Sequence, residues 1–314
     1  MTDTLVQYST VAVYSAMAIY ALAFIMFTLD LSRRAAAPVA AAAVTAHAAG
    51  YTTVLEKPVI EEAPKRSPRY LRAATALTVI AWVLHVGAAV FRGVAAGRVP
   101  WANMFEFTLT ATAIIIGVFL AVQLWQDIRF IGAFVTGFVL IALGIASVNF
   151  YVDVVPLPPA RQSAWLFIHV FFASLGTGFF ALGAALSIVQ LLQARRAAGN
   201  LPRLRFLDTL PSAEKLENMA YRMIVVGFVF WTFTLIAGAI WAERAWGRYW
   251  GWDTKEVWTF IIWTIFAGYI HARATRGWRG SRSAWLAIIG FSAVVFNFTI
   301  VNLFFKGLHA YSGL

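Results

Sequence analysis

Eight stretches of this chain are each apolar over about 20 residues, the length at which a helix crosses the hydrocarbon core of a bilayer. They fall at about 7–29, 71–91, 104–125, 130–150, 165–193, 223–242, 256–272 and 284–304. In hydrocarbon the backbone must satisfy its own hydrogen bonds, so such stretches fold as helices packed into a bundle. The sequence therefore predicts an all-α, polytopic membrane helical bundle with about eight transmembrane helices. Composition agrees. Of 314 residues 61% are hydrophobic and 12% charged, and mean hydropathy is +0.74. A soluble domain carries about twice that charged fraction, and the spans leave no room for a large soluble domain.

The N-terminal MTDTLVQYST has no Lys or Arg ahead of the first apolar run. A secretory signal needs a positive n-region, so residues 1–30 read as a retained first helix. Residues 31–69 read as a flexible cytoplasmic linker. It opens on Ser32-Arg33-Arg34, passes through an Ala-rich tract and ends with Pro58, Pro64 and Pro68 among charges. Residues 70–314 form the main membrane domain. Segment 201–222 mixes apolar and basic residues; it reads either as a helix along the cytoplasmic interface or as a solvated connector.

A net charge of +11 invites a nucleic-acid reading, but the basic residues sit in short loops between spans, which is the positive-inside pattern. With the N-terminus outside, 18 of the 25 Lys and Arg residues face the cytoplasm. The expected topology thus has both termini on the outer side, and no nucleic-acid partner. The chain has no cysteine, so thiol chemistry at this protein must come from a partner.

The segment from Trp241 to Trp258, WAERAWGRYWGWDTKEVW, holds five tryptophans in a loop that this topology places outside. An interfacial aromatic belt is one reading. A belt needs no glycines, however, and Gly247 and Gly251 sit among Trp246, Trp250 and Trp252. Glycine lets a backbone approach a flat ligand, and tryptophans give a broad, rigid apolar platform. Asp253 and Glu256 have the spacing of a capping box opening the next helix; a ligand role stays open beside that reading. His47 lies in the Ala-rich linker and reads as incidental. The other four histidines lie in or at the edge of spans, where an ionisable group is a functional candidate. His169 and His309 sit at the level of the tryptophan loop, His271 at the cytoplasmic end of the seventh span, and His85 within the second. Two imidazoles can ligate a heme iron. His85 has packing as its simpler reading.

The string Trp246-Gly247-Arg248-Tyr249-Trp250-Gly251-Trp252-Asp253-Thr254-Lys255-Glu256 resembles the tryptophan-rich WWD signature of the heme-handling proteins of cytochrome c maturation. Its setting, with His169 before it, His271 on the following helix and His309 past the last span, resembles the CcsA/ResC branch. That branch supplies the membrane subunit of the system II cytochrome c synthase. The PWANMFEF segment with Asn103 and Glu106 is similar to that family too, and the resemblance covers residues 70–314. It implies that His169 and His309 ligate heme over the loop formed by Trp246, Gly247, Trp250, Gly251, Trp252 and Asp253, and that His271 serves a second, deeper heme site. It gives His85 no firm counterpart. It further implies heme b bound transiently, as substrate, passing from His271 to the outer site. Heme would then be attached to apocytochrome c CxxCH thiols. The implied partners are a ResB/CcsB-type membrane subunit and a thiol reductant. The implied location is the plasma membrane, most simply the bacterial cytoplasmic membrane, with the site on the outer face.

Two other classes compete. A membrane electron-transfer subunit with permanently bound b-type heme would carry two separated histidines on each ligating helix, whereas each candidate helix here carries one. A solute transporter would show internal repeats or matched broken spans, and the sequence shows no repeat.

Overall fold

The computed structural model describes residues 2–48, 69–154, 163–275, 277–305 and 307–309, with the side chains of 35–48 excepted. Among these the regular structure is helical, with no strand. The helices are α1 (Thr2–Ala48), α2 (Arg69–Ala96), α3 (Met104–Val122), α4 (Gly132–Asn149), α5 (Ala164–Ala197), α6 (Ala213–Trp246), α7 (Thr254–Thr275), α8 (Ser281–Phe298) and a short α9 (Ile300–Phe304).

Seven helical segments among the described residues are long and apolar enough to cross a membrane, against the eight expected. The difference is α7. It has the length, 22 residues, but its tryptophans, threonines, Tyr269, His271 and Arg273 dilute its apolar content. It packs against α6 and α8. Its Phe266 is fully buried and stacks on Phe180 of α5 at a centroid separation of 3.7 Å. A second difference is at α1, which continues to Ala48 where a linker was expected from residue 31. Alanine is the strongest helix former, and the Ala-rich tract propagates the helix. The proline-rich half of that linker, with Pro58, Pro64 and Pro68, lies outside the described residues.

Small residues let the helices approach closely, the usual device where lipid gives no hydrophobic drive between helices. On α2 the small residues Ala74, Thr78, Ala81 and Ala88 are buried where that helix packs along α1, whose Ala12, Ala16 and Ala23 are buried as well. Between α5 and α6, a Cβ on Gly183 would lie 2.6 Å from Ile224, and one on Gly227 would lie 2.8 Å from Phe180.

Alternation of the helices gathers five pieces at one end of the bundle: the start of α1, the α2–α3 corner, the start of α5, the α6–α7 loop and residues 307–309. Ser9 donates to the Ala88 carbonyl there, and Trp101 packs on Phe167. The opposite end carries Arg34–Asp30, Arg196–Asp208 and Arg273–Glu217.

Candidate functional site

A cavity of about 390 Å³ opens at the first of these ends, between α3, α4, α5, α6 and α8 and under the α6–α7 loop. That volume is within the range of small-molecule sites. Its walls are mostly apolar, among them Met104, Phe107, Phe138, Trp231 and Phe298. His169, His309, Trp241, Trp250 and Glu256 also face it.

The seat of His169 is built by one face of α6. Thr234, Gly238 and Trp241 follow one another at i, i+4 and i+7, so they stand in line on that face. The Thr234 carbonyl lies 2.9 Å from His169 Nδ1. A Cβ on Gly238 would lie 2.7 Å from His169 Cε1, so only glycine leaves room for the ring. Trp241, 1% exposed, stacks on the imidazole with 15° between planes and 6.1 Å between centroids. A carbonyl oxygen only accepts, so Nδ1 carries the proton and the neutral ring keeps its lone pair on Nε2.

His309 is held by the loop. Asp253 Oδ2 lies 2.8 Å from its Nδ1, and Asp253 Oδ1 accepts from the Leu308 N–H at 3.3 Å. The His309 hydrogen bond holds the Asp253 carboxyl below the usual carboxylate range. Here too Nδ1 donates, and the lone pair of the neutral ring falls on Nε2. Gly307 permits the clasp, because a Cβ there would lie 2.1 Å from Asp253 Oδ1. His309 meets Trp241 and Trp246 edge-on, with centroids 5.6 and 4.8 Å apart. Both imidazoles therefore pack on the same indole, that of Trp241.

The capping-box reading of Asp253 and Glu256 holds, with an addition. Glu256 reaches back to accept from the Asp253 N–H at 3.0 Å and from the Gly251 N–H at 2.8 Å, fixing the loop to the start of α7. Asp253 accepts from the Lys255 N–H and also holds His309, so one carboxylate both caps the helix and orients an imidazole.

The remaining expected residues separate. Trp250 faces the cavity, and Trp246 stands behind His309. Trp252 is 76% exposed with φ +59°, and packs edge-on against Trp250 at 5.9 Å. Gly247 ends α6 with φ +70° and gives its N–H to the Glu243 carbonyl, a left-handed cap that favours glycine; its value is in turning the chain. At Gly251 the space a Cβ would take is filled by the Arg248 guanidinium. His271 is exposed on α7, 16 residues and so about 24 Å along the helix from Lys255. His85 is fully buried between the Tyr20 hydroxyl at 3.3 Å and the Thr112 hydroxyl at 3.5 Å, which supports packing.

Several participants carry no signal of their own in the sequence. Gly238 and Gly307 look like ordinary glycines until the imidazole and carboxylate they admit are seen. Thr234 acts through its carbonyl, which every residue has. Beside the cavity, Glu106 is fully buried and paired with Arg92 at 3.0 Å and Arg98 at 2.7 Å, and accepts from the Ala102 N–H. Arg92 also donates to the Val152 carbonyl. Asn103 caps α3 by accepting from the Glu106 N–H at 2.9 Å. This network fixes the α2–α3 corner against the chain just past the end of α4.

The family model for cytochrome C assembly proteins matches residues 101–309, the span from the cavity's Trp101 to His309. Cytochrome c biogenesis protein CcsA of Trieres chinensis is 33% identical over 252 residues, covering 71% of this chain and 81% of that protein. CcsA of Gloeobacter violaceus is 30% identical over 301 residues, covering 80% and 89%. In fold the chain is similar to the cytochrome c heme lyase CcmF, with a TM-score of 0.62 at 16% identity, covering 94% of this chain and 46% of that one. The chain thus spans about half the length of that lyase. On the match from Trp101 to His309 and the identity to these relatives, the chain belongs to the cytochrome C assembly protein family, as a multi-pass membrane protein of the CcsA type that acts in cytochrome c maturation.

Proposed function

We propose that this protein binds heme b as its substrate between His169 and His309 and presents it for attachment to the CxxCH thiols of an apocytochrome c. One observation carries the reading: two imidazoles in one cavity, each with Nδ1–H committed to a protein acceptor, so that each directs the lone pair of Nε2 elsewhere. Ligating histidines are typically held this way, their second nitrogen on a carbonyl or carboxylate. The largely apolar walls and the rings of Trp241 and Trp250 suit a porphyrin face.

The chain's own contribution is position. Thr234, Gly238 and Trp241 set His169; Asp253 and Gly307 set His309; Glu256 locks the loop that carries Asp253. Holding two reactants in register removes much of a bimolecular barrier. In the attachment each thiol S–H adds across a vinyl C=C, sulfur to one carbon and hydrogen to the other, with no net oxidation. The thiols belong to the apocytochrome, since this chain has no cysteine, and a reducing partner keeps them free. The site lies at the outer face of a bacterial cytoplasmic membrane, with both termini on that side. Exposed His271 at the other end of α7 serves a second heme position, its complementary ligand supplied by a ResB/CcsB-type subunit with which this chain forms the synthase.

The test is substitution of His169 or His309 by Ala in the full chain with its partner. Each loses a low-spin heme spectrum and cytochrome c maturation while membrane insertion persists. A double variant with unchanged spectrum and maturation would overturn the reading.

A further inference from the structure

Some residues that line the cavity carry buried polar atoms that the seats of the two imidazoles do not use. Among the described residues, eight buried side-chain polar atoms have no hydrogen-bond partner, and four of them belong to residues of this cavity: Trp101 Nε1, Asn103 Nδ2, Trp241 Nε1 and Asn297 Oδ1. Buried polar groups are ordinarily paired, so a cluster at one cavity points to something that completes it. Three of the four are N–H donors. An indole N–H can only donate. The orientation of Asn103 is set by its cap, since Oδ1 accepts from the Glu106 N–H and Nδ2 is left as the donor without a partner. Asn103 and Trp241 are 3% and 1% exposed. Trp101 packs against the cluster of Leu166, Val170 and Trp241, and Asn103 follows it by two residues, so the donors share one region of the wall.

We propose that Trp101, Asn103 and Trp241 form a carboxylate subsite that takes a propionate of the bound porphyrin. This rests on the heme reading above and deepens it. A carboxylate is acceptor-only, with about four lone-pair sites, and satisfies several N–H groups that have no protein acceptor. On protoporphyrin the propionates and vinyls occupy opposite edges of the ring. Gripping the propionate edge therefore sets the rotation of the macrocycle about the His169–His309 axis and directs the vinyl edge away from Trp101. Axial imidazoles alone cannot do this, because ligation along the axis leaves rotation about it undefined. Trp101 and Asn103 thus determine which edge of the porphyrin is offered for attachment.

The experiment titrates the purified full-length protein in detergent with iron protoporphyrin IX and, separately, with its dimethyl ester, read by the low-spin heme bands. The variants are Trp101→Phe, which keeps the ring and removes the donor, and Asn103→Ser, which keeps a capping oxygen and removes the amide donor. Each is expected to weaken binding of the free acid about tenfold, the effect of one hydrogen bond to a charged acceptor. Binding of the ester should stay within about twofold of wild type. The ester arm also reports folding, since a misfolded cavity would lose it. Equal losses for acid and ester in both variants, or no loss for either, would overturn the subsite while wild-type binding leaves the heme reading standing. Failure of the wild-type protein to bind either porphyrin would instead overturn the heme reading, and the subsite with it.

Discussion

Replacing Asp253 with Asn tests how much of the site depends on the clasp over His309. The carboxylate is 9% exposed and the imidazole 13%, so solvent screens their 2.8 Å contact little. Asparagine keeps the size and remains a good N-cap, so α7 should still start at Thr254. What is lost is the charge assistance of one hydrogen bond, about 1–2 kcal/mol out of the 1.5–3 typical of bonds to charged groups. Expressed in metal affinity, partners one step behind a ligand usually contribute about 10–100-fold, and the single lost charge places Asp253→Asn near the lower end, about tenfold. Asp253→Ala removes the cap as well, a further loss of about 1 kcal/mol in stability. The assay is the rate at which purified protein surrenders heme to an excess of a competing heme-binding protein, followed by loss of the low-spin bands. Because Asp253 acts through His309, a His309→Ala/Asp253→Asn double variant should release heme no faster than His309→Ala alone, as coupled residues in a cycle do. Unchanged release from Asp253→Asn, or fully additive effects in the double variant, would refute the clasp as the device that orients His309.

Gly238→Val should abolish the low-spin spectrum, because even a Cβ there lies 2.7 Å from His169 and overpacking costs about 1–3 kcal/mol; Gly87→Ala, with nothing within 4 Å of the new Cβ, should leave the spectrum as in wild type. The tryptophans should divide: Trp250→Ala weakens heme retention, whereas Trp252→Ala, at a ring 76% exposed, leaves retention intact in the purified protein, and equal loss from both would restore Trp252 to the binding surface. Gly251→Val displaces the flexible Arg248 guanidinium rather than a ligand, so its effect on heme retention should be smaller than that of Gly238→Val in the same assay. For orientation, a reporter active only outside the membrane should work when fused after Leu314 and stay silent when fused after Arg279, and the reverse pattern would invert the placement of the cavity.

Residue order alone determined the class of fold and the chemistry on offer. Long apolar runs have one solution in lipid, because the backbone must bond to itself. The capping box at Asp253 and Glu256 was legible because it is local, its partners three residues apart. His169, His309 and the tryptophan segment stood out because polar and aromatic groups are conspicuous in an apolar chain. The status of α7 was less legible: its length of 22 residues suits a span, whereas its aromatic and polar residues lower its mean apolarity below that of the seven other long helical segments. The α1 helix outruns its apolar span, to Ala48 against Arg34, because an alanine tract too weakly apolar for a span is still an excellent helix former.

What only the tertiary structure decided are the contacts between residues far apart in sequence. Asp253 meets His309 across 56 positions, and the Thr234 carbonyl meets His169 across 65; no spacing rule reaches that far. Trp101, Asn103 and Trp241 come to line one cavity only when the approach to α3 and the end of α6 fold together. Gly247 and Gly251 were picked out for approach to a ligand, yet the folded chain uses one to turn the backbone and the other to seat Arg248. Gly238, which does make room at the site, was invisible among the chain's 22 glycines. A missing side chain announces nothing in sequence, and its purpose is set by which neighbour folding brings against it.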